Sequence, residues 1–121
     1  MSAHELEQVA LQPGGPEVIV RVMVTHNHAI DDFLADCRAR GWSERTINTY
    51  AATLYRFTDR LPADQDVSKT SIDDIRRYRA TRQRTLSRNT VAGEEAHLAS
   101  YFGWLYRNRI IGKVCGYLGI G

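Results

Sequence analysis

The feature that most narrows what this chain can fold into is a single apolar stripe. Ile47, Tyr50, Leu54, Phe57 and Leu61 recur three or four residues apart between Ser43 and Pro62. Only an α-helix gathers that spacing onto one face. Ser43 is a good N-cap, because its hydroxyl accepts from a first-turn amide, and Pro62 stops the helix. A helix with one apolar face must bury it, so the chain has to supply partners.

Three further segments do so. From Ala29 onward, Ile30, Phe33, Leu34 and Cys37 follow the same spacing, and this helix stops near Gly41. Thr70 or Ser71 caps a third helix carrying Ile72 and Ile75, with Asp73 and Asp74 in the first turn, where the helix dipole favours acids. Ser87 caps a fourth, with Val91, Leu98, Tyr101, Phe102 and Leu105 on its core face and an end near Asn108. Four helices with short connections predict an all-α bundle over residues 29–111. Trp104 and the Tyr101/Phe102 pair are read as core, since they lie on the apolar side.

The flanks are different. Residues 1–28 form an N-terminal extension, partly flexible: Pro13-Gly14-Gly15-Pro16 breaks any regular element. Residues 18–24 are β-branched and strand-like, with no strand downstream to pair with. Pairing with a second copy, packing as an apolar extension and hanging free as an appendage all stay open. Residues 112–121 are a tail whose apolar residues are spaced by glycines. Gly112-Lys113-Val114 lacks the Ser or Thr and the following helix of a phosphate-cradling loop.

At 121 residues, 43% hydrophobic and 25% charged, the chain has room for one domain and is neither disordered nor coiled-coil in composition. No apolar run reaches a membrane-spanning length and the first residues do not resemble a signal peptide, so a cytoplasmic location is expected. Cys37 and Cys115 stand alone, without a CxxC or a Cys/His cluster, and read as reduced thiols, Cys37 as a packing residue. His26-x-His28 lacks a third ligand and reads as exposed polar sequence. No metal or cofactor is expected.

The formal net charge is only +2, but it is unevenly spread. Arg76, Arg77, Arg79, Arg82, Arg84 and Arg88 fall in residues 76–90 with no acid among them, a candidate phosphate-binding surface or, equally, a solvated face.

With the helices placed, residues 33–105 resemble the SAM-like core-binding domain at the N-terminal end of phage integrases, the tyrosine recombinases. In that family the second helix opens with Leu-Ser-x-x-Thr and continues with Tyr, Leu, Arg and Phe; here stand Trp42, Ser43, Thr46, Tyr50, Leu54, Arg56 and Phe57. The fourth opens with Ser-x-x-Thr and closes with aromatic pairs before Trp-Leu; here stand Ser87, Thr90, Tyr101, Phe102, Trp104 and Leu105. The resemblance implies a small orthogonal SAM-like bundle forming half of a clamp on double-stranded DNA, with the second and fourth helices toward the major groove, and it allows a homo-oligomer on DNA. The DNA-contact residues it points to are Ser43, Arg45, Thr46, Asn48, Thr49 and Arg56 on the second helix. Arg82 and Arg84 lie on the approach, and Ser87, Arg88, Asn89 and Thr90 on the fourth. The residues agree: free amides at a helix start favour phosphate, and Asn or Arg side chains suit base edges.

Gly93, Glu94 and Glu95 stand where the family has basic residues, so two carboxylates are expected to repel phosphate there. The linker after the fourth helix has Ile111-Gly112-Lys113 in place of Asn-Pro. The family's catalytic HisxxArg is absent, since His4, His26, His28 and His97 are followed three residues on by Glu7, Ala29, Asp31 and Ser100. Tyr117 is a lone tyrosine in the tail. Binding without strand cleavage is the expectation, as for a truncated integrase or a domain apart from its catalytic half. The alternative is a helical protein-interaction domain with little DNA affinity, using residues 18–24 and the tail.

Overall fold

The computed structural model describes residues 23–108 and 110. Within them lie four α-helices and one short 3-10 turn, an all-α bundle: α1 (His26–Ala39), α2 (Glu44–Thr58), the turn Val67–Lys69, α3 (Ile72–Gln83) and α4 (Arg88–Arg107). The tail and nearly all of the N-terminal extension, including most of the strand-like stretch 18–24, lie outside the described residues.

Each start has a side-chain cap. Ser43 and Ser87 accept from the Thr46 and Thr90 amides, each at 3.2 Å. At α3 the cap is Ser71 and not Thr70: the Ser71 hydroxyl accepts from the Asp74 amide at 3.2 Å and the Asp74 carboxylate from the Ser71 amide at 2.9 Å, a reciprocal capping box. α1 begins at His26, a turn's length before the expected Ala29, because Thr25 caps it and the His26 ring is buried.

The helix ends follow from backbone constraint. Gly41, at φ +93°, takes the left-handed conformation that closes α1. Its amide then reaches the Arg38 carbonyl and that of Trp42 reaches the Cys37 carbonyl, both at 3.1 Å. α2 ends at Thr58, short of Leu61. The residue before a proline avoids the helical region, so the chain tightens into three-residue turns, with Leu61 bonded to the Thr58 carbonyl at 2.9 Å. Leu61 still packs against the core, half-buried.

The core is aromatic at its centre. Phe57 meets the rings of His26, Tyr78 and Phe102 edge-on, with centroids 6.4, 5.6 and 5.9 Å away, the favoured arrangement for ring quadrupoles. Phe33, Ile47, Leu54, Ile75, Leu98, Tyr101 and Leu105 complete it, and Cys37 is buried as a free thiol. Trp104 is half-buried at the edge, its Nε1 donating to Asp36 Oδ2 at 3.1 Å.

Val24 and Thr25 form no strand among the described residues, but they meet the loop before the 3-10 turn: the Val67 amide donates to the Val24 carbonyl at 2.8 Å, and Thr25 forms an isolated antiparallel bridge with Asp66. One expectation needs correction, since His26 is not exposed: both ring nitrogens are engaged in the interior, Nδ1 with Tyr101 Oη at 2.8 Å and Nε2 with Thr70 Oγ1 at 2.7 Å. His28 is exposed, 3.6 Å from Asp32.

Candidate nucleic-acid interface

The outer faces of α2 and α4, opposite their core stripes, flank a groove of about 790 Å³. Six of the twelve expected contact residues line it: Arg45, Asn48, Thr49 and Arg56 from α2, and Asn89 and Thr90 from α4. The two helices start alike. In each the cap serine and the threonine three residues on also share a hydroxyl bond, Ser43 with Thr46 at 3.0 Å and Ser87 with Thr90 at 2.9 Å. That bond uses one of the two hydroxyl protons at each start, so what these helix starts offer an anion is backbone amides, a dipole and one remaining O–H donor. Thr49 is likewise turned back, its hydroxyl donating to the Arg45 carbonyl at 2.9 Å.

The arginine run is not the unbroken cationic surface it looks like in the sequence. Acids from the preceding turn and the neighbouring helix reach it: Arg76 lies 3.7 Å from Asp73, Arg77 2.7 Å from Asp74 and Arg79 3.7 Å from Glu95. Arg82 is bound to Glu94. Arg45, Arg84 and Arg88 are exposed and, among the described residues, in no ion pair.

Glu94 is the centre that the sequence does not reveal. It lines the groove, as expected of a residue on that face, but its carboxylate is nearly buried and engaged by side chains of α3 and α2. Its Oε1 accepts from Tyr78 Oη at 2.7 Å and Arg82 Nε at 2.9 Å, and its Oε2 from Arg82 Nη2 at 2.9 Å and Arg56 Nη1 at 3.2 Å. Burial alone would lift its pKa. The hydrogen bonds from Arg82 and Tyr78, with the charges of Arg82 and Arg56, outweigh burial and hold the carboxyl below its usual range. Nothing in the local sequence signals this, because Tyr78 and Arg56 lie 16 and 38 residues away.

His97 also lines the groove and had been considered only for a missing catalytic motif. Its Nδ1 lies 2.8 Å from Thr53 Oγ1, and its ring lies 4.2 Å from that of Tyr50, which in turn meets Trp42 at 4.8 Å. Burial lowers its pKa, against the opposing charge of Glu94, and keeps it neutral near pH 7.

Among the described residues no three His, Cys, Asp or Glu side chains gather in a way that would hold a metal ion, and no helix is long and apolar enough to cross a membrane.

Of the comparisons with known proteins, one gives a match: the family model for the phage integrase N-terminal SAM-like domain aligns with residues 30–109, which span nearly all of the four helices. Neither the curated proteins nor the solved structures contain a match to the chain.

Proposed function

The chain belongs to the family of phage-integrase N-terminal SAM-like domains, and we propose from that premise that it is a DNA-binding module of a site-specific recombination system. It holds duplex DNA along the α2–α4 groove. The observation that carries this is the groove itself, where two capped helix starts and the side chains of Arg45, Asn48, Asn89 and Thr90 converge. Phosphates would be met by the amides of both helix starts and by the exposed Arg45 and Arg88, and base edges by Asn48 and Asn89. Arg84 adds to the field from the approach, whereas Arg56 and Arg82 are held on Glu94.

A cytoplasmic setting and assembly of several copies along one DNA belong to the same proposal. So does binding without strand cleavage, for which the chain's lack of a histidine three residues before an arginine is the support.

The test is fluorescence anisotropy of the whole chain with short labelled duplexes, titrated in salt. Binding in roughly the micromolar range is expected, with log K falling by about 0.9 per phosphate contact for each unit of log salt. Arg45→Ala and Arg88→Ala should each flatten that slope by about one contact. Absence of binding at low salt would overturn the proposal and leave the protein-interaction alternative, for which a dimer indifferent to DNA is the signature. A covalent protein–DNA adduct on a nicked duplex would overturn the non-catalytic part.

A further inference from the structure

A carboxylate one turn into α4 is out of place on a surface meant for phosphate, unless its charge is committed elsewhere. Glu94 is committed: four donors fill its two oxygens, and its side chain is only 9% exposed. The grip of Arg82 is bidentate, with both contacts at 2.9 Å, the strong form of a charge-assisted pair. Arg56 joins from across the groove at 3.2 Å. One carboxylate thus holds two guanidiniums, of which that of Arg56 lines the groove, while Arg45 on the same lining and Arg88 next to Asn89 stand exposed.

The cluster is a modest source of stability: the Glu94 side chain is only 9% exposed, so its desolvation offsets much of the attraction, while Arg82 and Arg56 stay 22% and 40% exposed and partly screened. What the cluster changes is the electrostatics. Sequence-independent DNA affinity grows with every cation free to displace a counterion, and discrimination is the ratio of specific to non-specific binding.

Building on the DNA-binding proposal, we infer that Glu94 is a positioning residue that keeps Arg56 and Arg82 from phosphates. It thereby lowers non-specific affinity and reserves the groove, with Asn48, Asn89 and the Thr53-bound His97, for uncharged contacts to base edges.

Glu94→Gln in the full chain tests this, with a random-sequence duplex titrated in salt. The variant should bind about threefold to tenfold more tightly than wild type at low salt, with a slope steeper by about one to two, as one or both arginines reach phosphate. Because loss of one negative charge raises affinity by itself, the mark of released arginines is that gain together with movement of the Arg82 Nε–H NMR signal when DNA is added to the variant. If Glu94→Gln keeps wild-type helicity and a cooperative melt but binds no more tightly, with no steeper slope, the inference is overturned. Should that variant fail to fold, wild type decides by NMR. The Arg82 Nε–H signal should hold its position on adding DNA while those of Arg45 and Arg88 move, and a comparable shift at Arg82 overturns the inference. Wild-type binding without a gain in the variant defeats only the role of Glu94, whereas no binding by either protein defeats the groove as a DNA site.

Discussion

The imidazole of His26 is hydrogen-bonded to the phenol of Tyr101 across 75 residues of sequence, with Nδ1 2.8 Å from Oη. The other ring nitrogen meets Thr70, so one side chain ties the start of α1 to the 3-10 turn and to α4. Burial dominates its titration and lowers the pKa from 6.5 to about 4, despite the opposing charges of Asp66 and Asp74.

An acid-sensitive stability follows. The folded state favours neutral His26, so the unfolded chain binds the extra proton between the two pKa values, and stability falls as pH drops from about 6.5 toward about 4. The gap corresponds to roughly 3 kcal/mol. His97, also lowered, adds in the same direction. Glu94 and Asp74, held below the usual carboxylate range, lose their contributions only at more acidic pH. Urea unfolding at pH 7.5, 6 and 5 should show a falling midpoint, and His26→Gln should flatten the trend while lowering stability throughout.

Phe57→Ala should be among the most damaging single changes. The ring is 1% exposed and contacts three other rings, so the loss combines transfer and cavity terms, about 3–5 kcal/mol. For a domain whose whole stability is roughly 5–15 kcal/mol, much of the margin goes. Trp42 and Trp104 both pack on Phe33 and provide the fluorescence signal for the denaturation curve.

The caps separate folding from binding. Ser43→Ala should cost about 1 kcal/mol of stability, and Ser43→Asp little, since aspartate caps as well as serine. The Ser43 hydroxyl is already used by Thr46, so the alanine variant should keep most of its DNA affinity once folded. The aspartate variant should lose several-fold at low salt, because its charge sits where a phosphate is expected. Equal binding by the alanine and aspartate variants would remove the α2 start from the DNA surface.

The fold was legible in the sequence because its evidence is local. Apolar spacing, Ser43 and Ser87 as caps, Gly41 and Pro62 as stops all act within a turn or two of where they stand. The first residues of α1 were missed because a polar histidine carries no mark that it is buried. Its partners Thr70 and Tyr101 are 44 and 75 residues away. The site was legible as a list but not as an arrangement. The arginine run is free of acids in sequence, yet Glu94 and Glu95 on α4 meet it in space. The same fact makes Glu94 a holder of two arginines.

Gly93 yields the last expectation. It lies inside α4, where glycine costs about 1 kcal/mol relative to alanine, and a Cβ built there meets nothing within 4 Å. Gly93→Ala should therefore stabilise the domain by up to about 1 kcal/mol, raising Tm by roughly 4–8 °C. The space that makes the substitution easy is the groove, which Gly93 lines. A methyl group there stands in the path of anything seated against α4. A more stable variant that binds duplex several-fold more weakly would mean that close approach to α4 is what the glycine serves. Greater stability with unchanged affinity would place the DNA farther out, on the exposed arginines alone.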